Sequence, residues 1–279
     1  MGEWHSGLRS KFENSGIPSL LLSSTRGWIG SDLSFLHTLP SLRELRISGE
    51  WLKPVSLLDL SPLSELPQIE RLSIQVPYHG GALNLKGLPH LWELYFDVYD
   101  IPLSGFEGAA SLRRLHLAGS KRIVHLDLSS NSALAELEVF HGKGLERITL
   151  SSTAPLRSIR LAHCRSLETV ANFRAQKALE TLEITSCARL AWHEALPASL
   201  HHLEVRNGGE VPDLRFLHQL PELDEFFMSG TTRIADGDLS PLTTHPRLRR
   251  VTFKDQKHYL QKWKQVQTTL DQRHADGPP

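Results

Sequence analysis

The chain has 279 residues, and its 31 lysines and arginines balance its 31 aspartates and glutamates, so its formal net charge at pH 7 is zero. Proteins that bind nucleic acids or other polyanions are usually basic, so the charge argues against that class of protein. No apolar run of about 18 residues and no signal peptide is visible in the sequence, and two cysteines are too few for a disulfide-stapled secreted domain. We therefore expect a cytoplasmic protein.

The first predicted element is a short helix near the N-terminus. Trp4, Leu8 and Phe12 are spaced four residues apart, which places them on one helical face. Gly16 and Pro18 then end any helix. We expect residues 1–16 to form an N-terminal cap on the rest of the fold, and a disordered remnant is the alternative.

From residue 17 onwards, the chain repeats one pattern of apolar residues. In the stretch Leu179-Glu-Thr-Leu182-Glu-Ile184, apolar residues occupy positions 1, 4 and 6. The pattern occurs eleven times, with starts 21 to 27 residues apart. We call these copies coils 1 to 11, and they begin at Ile17, Leu42, Ile69, Leu91, Leu112, Leu134, Leu156, Leu179, Leu200, Leu223 and Leu248.

Each coil predicts one short strand. Positions 4 and 6 are two residues apart and share one face of a strand, whereas positions 3, 5 and 7 point to the other face. A single unit of this kind cannot bury its apolar face alone, but stacked units form a continuous core. Parallel strands lie about 4.8 Å apart, so eleven strands would form a sheet roughly 50 Å long.

The pattern L-x-x-L-x-L-x-x-N/C with a period of about 20 to 29 residues resembles the leucine-rich-repeat family. The resemblance covers residues 17–254 and implies an α/β solenoid shaped like a horseshoe. About eleven parallel strands would line the concave face, with short helices, 3-10 turns or extended segments on the convex face. The phrase Asp238-Leu-Ser-Pro-Leu242 and its relatives are similar to bacterial repeats, including internalin-type repeats and those of bacterial defence proteins.

The segments between the strands differ along the chain. Early and late coils carry Asp-Leu-Ser-Pro-Leu or similar phrases, such as those at 31–40, 59–67, 213–221 and 238–242. In these coils Asp or Ser can cap a short turn, and the following Leu-Pro ends it. The middle coils, residues 112–199, have polar segments such as Asn131-Ser-Ala, which predict extended outer turns. Ile123, Leu126 and Leu128 predict a small second strand there.

A C-terminal element is predicted at residues 255–274. Tyr259, Leu260, Trp263, Val266 and Leu270 follow the spacing of an amphipathic helix. We expect this helix to cap the last coil, and a partner-binding or membrane-surface helix is the alternative. Residues 275–279 are expected to be a disordered tail.

The candidates for chemistry are few. Cys164 and Cys187 both occupy position 9, which in the family points inward, so we expect buried reduced thiols, although their stacking leaves a disulfide conceivable. His116, His141 and His163 lie in adjacent coils, but no further ligands complete a zinc site. Phosphate-binding and hydrolase motifs are absent from the sequence. We expect a protein that is not an enzyme and has no metal and no cofactor.

The predicted concave face is the candidate binding site, because its outward positions carry aromatic and charged residues. An ordinary solvated sheet is the alternative. The candidate binding residues are Glu93, Tyr95, Asp97, Arg114, His116, Glu136, Glu138, Phe140, Arg160, Glu183, His202, Glu204, Arg206, Glu225 and Phe227. Tyr95, Phe140 and Phe227 are predicted to point to solvent, and the acidic residues favour a partner with a basic surface.

We therefore expect a protein–protein interaction scaffold that is a monomer when free and binds neither nucleic acid nor membrane. A small chain of this type fits a bacterial immunity protein that neutralises a toxin. The alternative is the sensor domain of a larger bacterial defence or signalling ATPase.

Overall fold

The computed structural model describes residues 6–28, 30, 32–49, 58–76, 79–97, 102–119 and 122–275. The predictions for Trp4, for Ser31 and for the tail at 276–279 lie outside these residues.

The described chain is built mainly from short strands. In chain order they are β1 (Ser19–Ser23), β2 (Glu44–Ser48), β3 (Leu58–Asp59), β4 (Arg71–Gln75), β5 (His79–Gly80), β6 (Leu83–Asn84), β7 (Glu93–Asp97), β8 (Leu103–Ser104), β9 (Arg114–Ala118), β10 (His125–Leu128), β11 (Glu136–Phe140), β12 (Arg147–Leu150), β13 (Ser158–Ala162), β14 (Thr169–Ala171), β15 (Thr181–Thr185), β16 (His202–Arg206), β17 (Glu210–Val211), β18 (Glu225–Ser229), β19 (Arg233–Ile234) and β20 (Arg250–Thr252). The α-helices are α1 (Ser6–Ser15), α2 (Ser240–Thr244) and α3 (Trp263–Ala275).

One strand from each coil joins a single parallel sheet, which confirms the predicted solenoid. The sheet has eleven strands in the order β1-β2-β4-β7-β9-β11-β13-β15-β16-β18-β20. The register keeps each position of the repeat opposite the same position of the next coil, so Leu182 pairs with Ile159 on one side and with Leu203 on the other. Positions 4 and 6 are therefore buried in continuous rows along the core from coil 2 onwards, whereas Leu20 in coil 1 is partly buried.

The convex side changes character along the solenoid, in part as the sequence predicts. Coils near both ends carry short 3-10 or α-helical turns, and three middle coils carry β10, β12 and β14, which form a second parallel sheet. The end coils also carry the short strand pairs β3–β5, β6–β8 and β17–β19, and one 3-10 helix, Phe173–Ala175, lies in a middle coil. Ile123 lies outside strand β10. The 3-10 helices are Ser24–Arg26, Ser34–Thr38, Ser61–Glu65, Leu85–Gly87, Phe106–Gly108, Phe173–Ala175 and Arg215–Gln219.

Several convex turns begin with an aspartate that accepts a backbone hydrogen bond from the second residue after it. The four cases with serine as the donor are Asp32, Asp59, Asp127 and Asp238, with nitrogen–oxygen distances of 2.8 to 2.9 Å. The serine backbone and side chain lower the pKa of each carboxyl below its usual value. The charged form is therefore the one that stabilises these turns.

A pH dependence of stability follows from these four aspartates. Because their folded pKa values are lowered, their contribution is complete above the unfolded pKa of about 3.9 and is lost as the pH falls through the folded values. We expect the thermal unfolding midpoint to fall between about pH 5 and pH 3. A variant with asparagine at all four positions keeps an oxygen acceptor without a titrating charge, so its profile should be flatter than that of the parent. Parallel profiles would contradict the assignment.

Some polar side chains between the coils are buried, which the prediction of polar convex segments missed. Asn131 is fully buried and donates from Nδ2 to the carbonyl oxygens of Phe106 and Ala109 in the preceding coil, at 3.0 and 2.8 Å. His245 contacts the Leu220 carbonyl through Nε2 at 2.9 Å and accepts from the Leu248 amide through Nδ1. Burial lowers the pKa of His245, in keeping with a neutral ring. These side chains satisfy backbone groups that the turns leave unpaired.

The two cysteines take the inward position predicted for them. Both are free and fully buried. The Cys164 thiol donates to the Val139 and Ala162 carbonyls at 3.7 and 3.5 Å. Cys187 makes the equivalent contacts one coil later, and the neighbouring Cys164 thiol together with burial raises its pKa. A buried thiol held in the protonated form is a poor nucleophile.

The C-terminal helix closes the open edge of the sheet. The outer strand β20 would otherwise expose the backbone groups of Val251. Gln267 accepts from the Val251 amide through Oε1 at 3.2 Å, and Trp263 Nε1 donates to the Val251 carbonyl at 2.9 Å. Side chains of α3 thus replace a twelfth strand, which protects the edge from pairing with another chain.

The predicted start and face of this helix differ from the structure. The helix begins at Trp263, because the residues before it run as one more turn against coil 10. There the Tyr259 hydroxyl accepts from the Ile234 amide at 3.0 Å. Leu260 is 73% exposed, whereas Val266 and Leu270 are buried. At the other end, Phe12 of α1 packs on the core and Leu8 is exposed, so a capping role for residues 1–16 remains our proposal.

Candidate binding face

The side chains at positions 3, 5 and 7 of the eleven-stranded sheet form the face that we call the concave face. All fifteen candidate residues lie on its strands, in β7, β9, β11, β13, β15, β16 and β18. The alternation of the strands places them opposite the buried residues at positions 4 and 6. The repeat therefore determines which residues share this face, and the register determines which of them meet.

An ion-pair network occupies the centre of the face. Arg160 binds Glu138 of the preceding coil through Nη1 at 3.1 Å and Glu183 of the following coil through Nε at 2.9 Å. The hydrogen bonds with Glu183 are the main reason that the pKa of Arg160 is raised. One guanidinium thus fixes two carboxylates in adjacent coils.

The candidates Glu93, Glu136, Glu204 and Glu225 are also paired with cations, whereas Asp97 forms no ion pair among the described residues. Arg114 Nε lies 3.2 Å from Glu136 Oε1, and His202 Nδ1 lies 2.9 Å from Glu225 Oε2. Further pairs on this face, among the described residues, are Arg206–Glu204, His202–Glu204, Arg250–Glu225, Arg71–Glu44 and Arg71–Glu93. The sequence clusters acidic residues, but cations of the same or an adjacent coil pair with most of them, so most of these charges are neutralised locally.

The aromatic residues stack on one another and are only partly exposed, which corrects the prediction that they point freely to solvent. The Tyr95 and His116 rings are stacked with centroids 3.9 Å apart and an interplanar angle of 8°. Phe140 follows at 5.2 Å from His116. His116 Nδ1 lies 2.8 Å from Glu138 Oε2, which ties this stack to the ion pairs. Burial, and then the charge of Asp97, raise the pKa of Tyr95.

Phe227 lies apart from this cluster, near the C-terminal end of the face. Its ring meets His202 edge-on, with centroids 5.3 Å apart. The structure thus brings together Tyr95, His116, Phe140, Glu138, Arg160 and Glu183, which we call the central cluster. It separates these from the His202–Phe227 pair.

Two recesses lie beside the central cluster. The first, the concave recess, has a volume of about 620 Å³ and is lined by Arg46, Ser73, Gln75 and Tyr95 among others. The second, the edge recess, has a volume of about 690 Å³ and lies where the strands begin, against Trp92 and Arg113. Arg114 lines both recesses, so they adjoin.

A row of left-handed residues follows the concave strands and was missed by the sequence analysis. These residues are at position 8 and have φ between 51° and 76°. The row consists of Gly119, His141, His163, Ser186, Asn207 and Gly230. Each turn lets the chain leave the sheet sharply, while the His141 amide still bonds the Ala162 carbonyl of the next coil at 2.8 Å. The recurrence of Gly and Asn at position 8 was the available signal.

The histidines named as metal candidates do not converge. His141 and His163 stack with centroids 4.8 Å apart on the rim, whereas His116 stacks on Tyr95. Within the described ranges, no three His, Cys, Asp or Glu side chains are arranged to hold a metal ion. Nor does any helix among the described residues have the length and apolar character needed to cross a membrane.

Among known proteins, similarity to this chain was found only among solved structures. No family model and no curated protein matches the chain. The internalin InlF of Listeria monocytogenes is 15% identical with a TM-score of 0.44, over 93% of this chain and 86% of that chain. The functional domain of the Listeria monocytogenes protein InlJ is 16% identical with a TM-score of 0.43, over 85% of this chain and 58% of that chain. A leucine-rich-repeat protein of Leptospira interrogans is 14% identical with a TM-score of 0.31, over 85% and 78%.

The fold itself rests on the chain's own repeat. Eleven copies of the apolar pattern correspond one to one with eleven parallel strands in constant register. Convex turns connect these strands, and their apolar rows form one continuous core. The chain therefore folds as a solenoid of eleven coils built from a leucine-rich repeat.

Proposed function

We propose that this chain is a non-enzymatic scaffold that binds a protein partner through its concave face. The observation that carries the proposal is the central cluster, in which stacked aromatic rings adjoin an arginine held between two carboxylates. Aromatic and arginine side chains supply most of the binding energy at protein interfaces. A sheet about 50 Å long gives such a cluster a broad surrounding surface.

The geometry of the cluster supports binding because the side chains are already ordered. A partner that meets a flexible arginine pays the entropy of fixing its rotamers, about 0.5–1.5 kcal/mol for each long side chain. Arg160 is held by Glu138 and Glu183. Tyr95 is held by its contact with His116. Preorganisation of this kind raises affinity without adding contacts.

The double variant Tyr95→Ala and Phe140→Ala is expected to weaken the partner's affinity by at least about thirtyfold, corresponding to a loss of roughly 2 kcal/mol. The measurement is affinity capture with the purified chain as bait, followed by titration of the captured protein. Both rings stand on the concave face and outside the core. The variant should therefore remain folded, which circular dichroism and the unfolding midpoint will show.

A matched control removes two side chains from the opposite side of the solenoid. His125 and Arg147 are exposed, pair in register and lie on the convex sheet. The variant with alanine at both positions should bind the partner like the parent. Unchanged affinity in the Tyr95 and Phe140 variant would reject the central cluster as the binding surface.

Within this function, we propose that the partner is a toxin that the chain neutralises as an immunity protein in the cytoplasm, and that the free chain is a monomer. The sensor domain of a defence or signalling ATPase is the second reading of the same surface. An immunity protein should abolish the activity of its captured partner, whereas a sensor should leave its ligand active. Light scattering of the free chain checks the monomer.

A further inference from the structure

Arg46 is a cation on the concave face that lacks an ionic partner among the described residues. It is exposed in β2, and its neighbours at position 5 are Leu21 and Ser73, which carry no charge. Arg46 lines the concave recess together with Tyr95. The nearby glutamates Glu44 and Glu93 are both bound by Arg71. The recess therefore has one guanidinium left to accept an anion.

Arg113 is the equivalent group in the edge recess. It is exposed, and within the described ranges its side chain forms no ion pair or hydrogen bond. Small side chains line much of this recess, namely those of Ala110, Ala133 and Ala135. Trp92 also lines it. The Arg71 guanidinium, which lines the concave recess, lies 5.5 Å from the centroid of the Trp92 ring, which lines the edge recess. The small alanine side chains leave room for extended backbone beside Arg113.

The distance between the two arginines follows from the sheet. Arg46 is at position 5 of coil 2 and Arg113 is at position 2 of coil 5. Three strand spacings of about 4.8 Å and three residue rises of about 3.3 Å separate the two Cα positions by roughly 17 Å. An extended peptide covers this distance with about five residues.

From this placement we propose that coils 2 to 5 bind an extended acidic segment of the protein partner, with one carboxylate on Arg46 and another on Arg113. The inference rests on the proposed function and names the chemistry of the partner at one part of the same face. A carboxylate accepts two parallel hydrogen bonds from a guanidinium, which makes arginine the preferred residue for this contact. The segment crosses from the concave recess to the edge recess over Arg114.

The probe is octaglutamate, acetylated and amidated at its ends and titrated calorimetrically at low ionic strength. We expect measurable binding that weakens about tenfold in Arg46→Gln and again in Arg113→Gln, because each variant removes one charge-assisted contact. Lys254→Gln is the matched control, since it removes the same charge from an exposed residue just beyond the last strand. That variant should bind octaglutamate like the parent.

Three results would overturn the inference. They are no octaglutamate binding up to millimolar concentration, an Arg46→Gln or Arg113→Gln variant that binds like the parent, and equal weakening by Lys254→Gln. Tripolyphosphate binding as tight as octaglutamate would also count against it, since a small anion cannot span both arginines. Capture of the partner by the variants distinguishes a failure of this inference from a failure of the proposed function. If Arg46→Gln leaves capture intact while the Tyr95 and Phe140 variant abolishes it, only this inference fails.

Discussion

Replacing Phe226 with alanine is expected to lower the free energy of unfolding by about 3–5 kcal/mol, the range for truncating a fully buried aromatic residue. Phe226 occupies position 4 of coil 10, is 1% exposed and packs edge-on against Phe216 with ring centroids 5.8 Å apart. The substitution would leave a cavity between coils 9 and 10, and each coil of the solenoid contacts only its neighbours. The loss should therefore be concentrated near coils 9 to 11, where amide hydrogen exchange would rise most.

The neighbouring Phe227 supplies a matched control. It is the same residue type one position later, and it points to the concave face, where it meets His202. Phe227→Ala should cost no more than about 1 kcal/mol, because the ring is only partly buried. Denaturant unfolding of the two variants tests the alternation of the strand directly. Equal destabilisation by both substitutions would contradict the assignment of the two faces.

Replacing Gly87 with alanine is the second substitution expected to have a large effect, about 3 kcal/mol or more. Gly87 ends the 3-10 helix of coil 3 on the convex side. A Cβ atom at this position would lie 1.8 Å from the carbonyl oxygen of Ser64 in the preceding coil. A backbone oxygen cannot rotate away as a side chain does, so the two coils must move apart. The unfolding free energy from denaturant titration is the measurement.

Gly142 provides the comparison for this second prediction. Its added Cβ would meet the Leu145 side chain at 3.2 Å and the Cys164 sulfur at 3.3 Å, contacts that a shift of a few tenths of an ångström relieves. We expect Gly142→Ala to cost about 1 kcal/mol at most. If Gly87→Ala is no more destabilising than Gly142→Ala, the close approach of the convex turns is not as the structure shows.

These predictions distinguish two kinds of residue on opposite faces of the same strand. Side chains at positions 4 and 6 hold the solenoid together, so their loss is measured as unfolding. Side chains at positions 3, 5 and 7 lie outside the core, so their loss should be measured as a lower affinity for the partner. Phe226 and Phe227 show the contrast at one site, because a single step along the strand reverses the side-chain direction.

The sequence predicted which residues lie on the candidate binding face, but not how those residues pair or how far they are exposed. Fifteen residues were assigned to the concave strands from the repeat alone, and each lies in one of those strands. Their pairing was not predictable, since Arg160 meets Glu138 and Glu183, which are 22 and 23 residues away in sequence. The apparent acidic character and the free aromatic rings of the sequence were both changed by neighbours in adjacent coils.

The start of the C-terminal helix shows the same limit. The apolar spacing from Tyr259 onwards predicts a helix within residues 255–274, yet α3 begins at Trp263. Tyr259 is instead used to satisfy the Ile234 amide. A periodic pattern shows which residues are apolar. It does not show that the hydroxyl of one of them, Tyr259, is needed as a hydrogen-bond partner by a distant backbone amide.

The sequence by itself determined the number of coils, the strand in each coil, the buried rows and the extended convex strands of the middle coils. These features depend on the alternation of apolar and polar residues and on the turn residues within one repeat. Each repeat therefore carries the signal for them in its own sequence. Only the tertiary structure decided which charges are paired, how far the aromatic rings are covered and that Arg46 and Arg113 have no ionic partner among the described residues. Those properties depend on side chains that stacking brings to about 4.8 Å across coils, and the repeat pattern leaves these positions free to vary.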